Sequence, residues 1–136
     1  MIIEQAIQNA LLDSSSIKSY TGDRVYYPVA LQDTGKPYVV IQKITGARDK
    51  TNTAALAWAN PLMQIDVYGI SYTQCSAIAT LIQGILQSYS GVLGTKNDVT
   101  GVTIGACFYD NEFYSYEQDT GLHRLTLEFS VAHKEA

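Results

Sequence analysis

The sequence predicts an α+β fold: a mixed or antiparallel β-sheet of about five strands, with two main helices packed on one face and a long flexible arm between two strands. Three observations predict it. Residues 122–134 alternate apolar and polar side chains, as a strand with one buried face does. Residues 72–89 repeat apolar side chains at helical spacing. Strand-like segments come in pairs separated by helical segments, and the length of 136 residues fits a single domain, 1–136.

The first third of the chain predicts one helix and two strands. Residues 2–12 carry a stripe of apolar side chains and predict an amphipathic helix, which residues 13–16 end or follow with a short second turn. Residues 24–27 predict a short strand that stops at Pro28. Residues 38–44 begin apolar on both faces and then alternate, so this strand is expected to enter the middle of the sheet and to leave it at an edge.

The predicted arm covers residues 47–60. It shows neither helical nor strand periodicity, and it contains Arg48, Lys50 and the single tryptophan, Trp58. Loops of this length without regular structure are usually functional or disordered. Residues 62–68 then predict another strand, so the arm would join two strands. The apolar face of that strand would consist of Met63, Ile65 and Val67.

The second half predicts the longest helix and two closing strands. Residues 71–74 form a capping-box pattern at a helix start, and Gly91 and Gly94 are expected to end that helix. Residues 101–116 predict a strand, broken or bulged near Gly105. The last strand is expected to bury Leu125, Leu127, Phe129 and Val131, and to hold Arg124, Thr126, Glu128 and Ser130 in water.

The composition argues against several classes of function. The net charge of −4 at pH 7 lacks the basic excess of proteins that grip nucleic acid. The sequence contains neither a nucleophile elbow nor a phosphate-binding glycine motif. Cys75 and Cys107 have no partner at metal-ligand spacing and are expected to be small buried residues. No basic leader opens the chain and no apolar run reaches membrane-spanning length. We therefore expect a protein that is made and kept in a cytoplasm, or in a particle built there, without metal or cofactor.

Two chemical alternatives rest on single residues. His123 and His133 lie at the ends of the last strand, and with Asp119 or Glu135 they would form an acid–base pair. No nucleophile lies nearby in the sequence, so solvated strand-end histidines are the favoured interpretation, and we expect no enzyme activity. The tyrosines within residues 109–116 would stack on nucleobases, but the acids among them favour strand packing or a protein interface.

Charge is divided unevenly along the chain. Residues 97–121 contain five acids and no lysine or arginine, whereas residues 36–50 contain four basic residues and one acid. A chain with an acidic edge and a basic arm can associate head to tail with copies of itself, and such contacts close into rings when the rotation allows. The alternative is that both segments are ordinary solvated surfaces.

Three blocks of the sequence resemble one known family. The first block, PYVVIQ followed by GARD, lies within residues 37–49; the second, QIDVYG followed by SY, covers residues 64–72. The third, YE followed by DTGLHR, covers residues 116–124 and leads into the closing strand. In this order they resemble the tail terminator, or tail completion, proteins of long-tailed bacteriophages and prophages, over nearly the whole chain.

The resemblance implies a small α+β subunit of the virion that forms a homo-hexameric ring at the head-proximal end of the tail tube. The ring would stop tube polymerisation and contact the tail tube protein and a head–tail connector or stopper protein, while DNA passes through its lumen unbound. The resemblance implies no catalytic residue, cofactor or membrane.

The interface residues that we assign are Arg48, Lys50 and Trp58 of the arm and Asp110, Glu112, Tyr114, Tyr116 and Glu117 of the acidic strand. The alternatives are another head–tail joining or neck protein, and a small cytoplasmic enzyme or ligand-binding domain.

Overall fold

The computed structural model describes residues 1–31, 35–45 and 58–134. The helices in these residues are α1 (Ile3–Leu12), α2 (Ser15–Thr21) and α3 (Tyr72–Leu86). The strands are β1 (Val25–Tyr26), β2 (Tyr38–Thr45), β3 (Trp58–Ala59), β4 (Leu62–Gly69), β5 (Gly91–Leu93), β6 (Val102–Glu117) and β7 (Leu122–Lys134). Within these segments no helix has both the length and the apolar character that a membrane crossing requires.

The described strands form one mixed sheet in the order β1-β2-β4-β7-β6-β5, with β3 paired to β7. Only the β1–β2 pair is parallel, and the remaining pairs are antiparallel. The α+β prediction is confirmed, and the five expected strands are all present. Sequence periodicity missed α2, β3 and β5, which are too short to show a repeating pattern.

The core lies between the helices and one face of the sheet. The buried side chains on this sheet face are Val39, Ile41, Met63, Ile65, Val67, Leu125, Leu127, Phe129 and Val131. The helices cover them with Ile3, Ala6, Ile7 and Leu11 of α1 and with Cys75, Ile78, Ala79, Ile82 and Leu86 of α3. Removing this apolar area from water is the main favourable term for such a fold. The apolar stripes and strand faces predicted from the sequence are therefore confirmed.

The start of α3 follows the predicted capping pattern with one difference. The Ser71 hydroxyl accepts a hydrogen bond from the Gln74 N–H at 3.1 Å, as an N-cap does. The Gln74 side chain accepts from the Ile70 N–H at 3.1 Å, one residue before the N–H that a standard capping box uses. Both backbone donors at the helix entry are therefore satisfied by side chains.

The prediction that Gly91 and Gly94 end this helix is wrong. The helix ends at Leu86, and Gly91 begins strand β5 instead. Gly94 has a φ of +79°, and a Cβ there would lie 2.4 Å from the carbonyl oxygen of Ala6. The glycine at position 94 is therefore required by the close approach of this turn to α1.

The C-terminal boundary predicted for the arm is also wrong. Trp58 and Ala59 form β3, which pairs with Lys134 and His133 of β7. This pairing is non-local, so no pattern within residues 47–60 could show it. The rest of the predicted arm, with Arg48 and Lys50, lies outside the described residues.

Candidate assembly interface

The candidate interface is the hairpin of β6 and β7, whose pairing runs from Ile104–His133 to Glu117–Leu122. Two register shifts interrupt it, one beside Gly105, where the sequence predicts a bulge, and one at Asp110. The extra residue at the second shift changes which side chains face the helices. Before it Tyr109 is paired with Phe129 on the helix-facing side, and after it Glu112 is paired with Leu127 on that side.

This change of parity divides the exposed end of the hairpin into two faces. Residues 110–117 of β6 are all exposed. The helix-facing set is Glu112, Tyr114 and Tyr116, which oppose Leu127, Leu125 and His123. The outer set is Asn111, Phe113, Ser115 and Glu117, which lie on the side away from the helices. Glu112 therefore shares the helix-facing side with Tyr114 and Tyr116, whereas Glu117 lies on the opposite side.

An aromatic cluster fixes the helix-facing side of the hairpin end. The Tyr114 hydroxyl lies 2.5 Å from Nδ1 of His123, and the ring of Tyr116 lies 4.7 Å from the same imidazole. Tyr72, at the start of α3, meets the Tyr114 ring edge-on at 5.0 Å. These contacts connect the hairpin to the helix layer, so His123 has a packing partner rather than the solvated position predicted for it.

Tyr109 and Glu112 form a second contact beside the bulge. The Tyr109 hydroxyl donates a hydrogen bond to a Glu112 carboxylate oxygen at 2.6 Å. Burial raises the pKa of Tyr109 above its ordinary value, and the hydrogen bond to Glu112 raises it further. The phenol therefore stays protonated and keeps donating to the carboxylate at neutral pH.

The outer face of the sheet contains a buried carboxylate, on the side of β4 opposite the apolar face of that strand. Asp66 is 1 % exposed. It accepts hydrogen bonds from Nε and Nη2 of Arg124 at 3.1 and 3.2 Å, from the Thr126 hydroxyl at 2.6 Å and from the Gln64 amide at 2.8 Å. The hydrogen bond to Asp66 raises the pKa of Arg124. The carboxylate and guanidinium form a hydrogen-bonded ion pair at the sheet centre.

The same network corrects the predicted solvent-facing side of β7. Thr126 has no exposed surface, because Asp66 and Phe113 flank it on the neighbouring strands. Tyr38 and Tyr68 stack beside it with ring centroids 4.8 Å apart, and the Arg124 guanidinium lies 5.7 Å from the Tyr68 ring centre. Burial raises the pKa of both tyrosines. No local pattern could show this cluster, because it depends on the register between β4 and β7.

The hairpin carries acidic charge with little local compensation. Residues 108–130 contain the acids Asp110, Glu112, Glu117, Asp119 and Glu128. The single lysine or arginine in residues 108–130 is Arg124, which already forms an ion pair with Asp66. The hydrogen bonds of these acids come from neutral groups: Ser130 donates to Asp110, Thr120 to Glu117 and Asn111 to Glu128. The negative charge is therefore presented to solvent or to a partner.

The residues assigned from the sequence fall into three groups. Asp110, Glu112, Tyr114, Tyr116 and Glu117 all lie on the exposed part of β6, as described above. Trp58 is half-buried, and its ring occupies the space above Gly105, where an added Cβ would lie 2.9 Å from it. Arg48 and Lys50 lie outside the described residues.

Sequence reasoning missed two exposed aromatic residues beside the acids. Phe108 is 62 % exposed and Phe113 is 46 % exposed, and both oppose outer-face residues of β7. Exposed phenylalanines on one strand face are more informative than scattered aliphatic residues, because apolar patches mark contact surfaces. Both phenylalanines were visible in the sequence, but the sheet face on which each lies was not. The alternation of faces along β6 changes at Asp110, so a pattern read before this residue fails after it.

The chemistry of the described residues offers no metal or reactive-thiol centre. Nowhere in residues 1–31, 35–45 and 58–134 do three His, Cys, Asp or Glu side chains lie close enough to hold a metal ion. Cys75 and Cys107 are buried and free, and burial raises the pKa of each thiol to about 11. A thiol with so high a pKa is a poor nucleophile at neutral pH.

The comparisons with known proteins agree with the resemblance. The sequence profile of the family described as tail completion protein gp17 matches residues 5–134, and the chain belongs to that family. It is thus a structural component of a bacteriophage-type tail, with its place in the virion. Among curated proteins no sequence match was found.

A solved structure shares the fold. The chain is similar to a chain in the structure titled "Virion of native gene transfer agent (GTA) particle", with a TM-score of 0.75. The alignment covers 98 % of this chain and 95 % of that one, at 14 % sequence identity. At that identity the likeness establishes the fold, which both chains show over nearly their full length.

Proposed function

We propose that this chain forms a hexameric ring that caps the head-proximal end of the tail tube, ends tube polymerisation and presents a surface to the head connector. The family match over residues 5–134 carries this proposal. A ring that completes a tail would act by contacts between protein surfaces and would need no catalytic group.

Charge complementarity supports the ring. The uncompensated acids of the β6–β7 hairpin lie on one part of the subunit, whereas Lys36 and Lys43 precede the further cations Arg48 and Lys50 in the sequence. A contact between unlike patches on successive subunits is heterologous, and it closes when the rotation between subunits divides a full turn. We assign Asp110, Glu112 and Glu117 to one side of this contact and the basic arm to the other.

The proposed lumen would be neutral or acidic. A wall without basic residues allows DNA to pass, because phosphate contacts supply most non-specific binding energy. The overall charge of −4 agrees with this role. DNA would accordingly be a passing cargo, and the binding partners would be the tail tube protein, the connector or stopper protein and further copies of this chain.

Tail length tests the function directly. Lysates of the parent phage with this gene disabled should contain overlong tails that are not attached to heads, as seen by electron microscopy. Tails of normal length beside filled, tailless heads would overturn the terminator role and assign the chain to head–tail joining. That neck role is the second candidate, because the family description states tail completion without naming the joint.

Native mass measurement tests the ring. Purified protein, alone and after incubation with purified tail tubes, should form species with six copies of the chain. A variant with Arg48→Glu and Lys50→Glu should lose these species, whereas Lys96→Glu, which alters a cation in the turn after β5, should keep them. Rings that survive the double reversal would remove the arm from the contact.

A further inference from the structure

One edge of the sheet is left open beside the acidic hairpin. Strand β5 pairs with β6 only at residues 102–104, and the carbonyl of Cys107 accepts a hydrogen bond from the Ser88 N–H at 2.9 Å. From 108 to 117, no described residue pairs with β6 on the side away from β7. At about 3.3 Å per residue this edge is roughly 30 Å long.

The side chains along this edge suit a bound strand. Phe108 and Phe113 are exposed on the outer face, and Tyr114 and Tyr116 are partly exposed on the helix-facing side. A strand that adds to a sheet edge gains affinity from main-chain hydrogen bonds and specificity from side chains on alternate faces. The edge offers aromatic contacts on both faces and a regular ladder from Asn111 to Glu117, where the register with β7 has no further shift.

The acids on the edge determine which strand fits. Pairing two β6 edges would bring Glu112 and Glu117 of one copy beside the same acids of the other, and like charges on paired strands are destabilising. Acids on an edge also protect it from self-association. A bound strand with basic residues would neutralise the acids of this edge and would also hydrogen-bond to its main-chain groups.

The matching basic segment begins where β2 ends. Thr45, the last residue of β2, is paired with Leu62, which is paired with Ser130 at the end of β7 opposite the hairpin turn. The turn lies eight residues away along β7, roughly 25 Å. The segment with Arg48 and Lys50 therefore starts far from the acidic end of its own hairpin, so a second copy is the natural source.

We propose that residues 108–117 of β6 accept, by strand addition, the basic segment that follows β2 in a second copy of this chain. The proposal rests on the ring proposed above and deepens it, because it names main-chain pairing at the β6 edge as the contact between successive subunits. Because Arg48 and Lys50 are two residues apart, both would lie on one face of the added strand, and we assign them to the helix-facing side, beside Glu112 of the next subunit.

Hydrogen exchange on the assembled protein tests the pairing. The full-length protein is compared as monomer and as ring, in solution or on purified tail tubes, with native mass measurement to confirm the state. Backbone amides of residues 108–117 that face the open edge should exchange at least about tenfold more slowly in the ring, because exchange of a paired amide requires local opening.

Charge variants identify the occupant. Arg48→Glu with Lys50→Glu should abolish the protection, and adding Glu112→Lys to that variant should restore it. Lys96→Glu is the matched control and should leave it unchanged. Thermal unfolding of each monomer checks that the substitutions leave the fold intact; Glu112 is exposed and Lys96 is half-buried.

The outcomes separate the two proposals. Rings whose 108–117 amides exchange as fast as those of the monomer would overturn the strand addition and leave the ring standing. Protection that persists in the Arg48→Glu, Lys50→Glu variant would also overturn it, because another segment would then occupy the edge. No six-copy species, either alone or on tubes, would overturn the ring and the strand addition with it.

Discussion

Asp66 is the residue on which the outer face of the sheet depends most. Its carboxylate lies at the centre of β4, almost without exposed surface, and receives its hydrogen bonds from Arg124, Thr126 and Gln64. A buried charge is tolerated only when it is paired and hydrogen-bonded. The network therefore fixes the register of β4 against β7. Strand β7 is also one of the two strands of the acidic hairpin.

Replacing this carboxylate should be costly. Asp66→Ala should lower the free energy of unfolding by about 3 kcal/mol, because it leaves the Arg124 guanidinium partly buried without its counter-charge. Urea unfolding followed by circular dichroism measures the change. Glu128→Ala is the matched control on the same face, since Glu128 is more exposed and, among the described residues, is hydrogen-bonded to Asn111 alone. It should change stability by less than about 0.5 kcal/mol. A loss below about 1 kcal/mol for Asp66→Ala would contradict the role.

Two glycines make a second comparison at the residue scale. Gly94→Ala should destabilise the protein by at least about 2 kcal/mol, because the new Cβ would meet the Ala6 backbone at 2.4 Å from a backbone with φ of +79°. Gly84→Ala should stabilise it by about 0.5–1 kcal/mol, because Gly84 lies inside α3 with open space around it. Thermal unfolding compares the two, and equal shifts would show that the Gly94 turn rearranges.

At the scale of an element, the N-cap of α3 is the clearest local determinant. Ser71→Ala should cost about 1 kcal/mol, because the Gln74 N–H would lose its acceptor. Ser71→Asp should retain most of the stability, since a carboxylate caps the same N–H and interacts favourably with the helix dipole. The two variants differ in unfolding midpoint if the cap is responsible, and equal loss in both would point to packing of the serine instead.

The elements show what local sequence can predict. The alternation in 122–134 and the apolar stripe of α3 arise within one element, so the sequence predicted both elements and their buried faces. Gly105 indicated one bulge in β6, but no glycine marks the second bulge at Asp110. This second bulge reverses the sheet face on which Tyr114 and Glu112 lie. Short strands such as β3 form only because β7 is there to pair with them. Propensity does not show such non-local pairing.

At the scale of the whole molecule, the sequence predicted the charge separation along the chain but not the open sheet edge. The acids between Asp110 and Glu117 were evident from the sequence. The open edge beside them became visible only from the strand order, because β5 covers just the start of β6. The helices bury the central part of one sheet face, whereas Glu112, Tyr114 and Tyr116 on that side of the hairpin end stay exposed. The contacts that we propose between subunits would use the hairpin, its open edge and the outer face.

The two buried thiols predict how the stability of the whole molecule varies with pH. Cys75 on α3 and Cys107 on β6 belong to the same core, and burial raises the pKa of each to about 11, against about 8.5 in an unfolded chain. Between these values the unfolded state has lost protons that the native state keeps, so the free energy of unfolding falls as the pH rises. The stabilisation is fully present below about pH 8.5 and should decrease by about 3 kcal/mol per thiol by pH 11. Urea midpoints from pH 8 to 11 measure this slope.

The Cys75→Ala, Cys107→Ala double variant should show a shallower slope. The remaining slope would come from Tyr38, Tyr68 and Tyr109, whose pKa values burial also raises. Equal slopes in the two proteins would mean that the thiols ionise in the folded state as readily as in the unfolded chain.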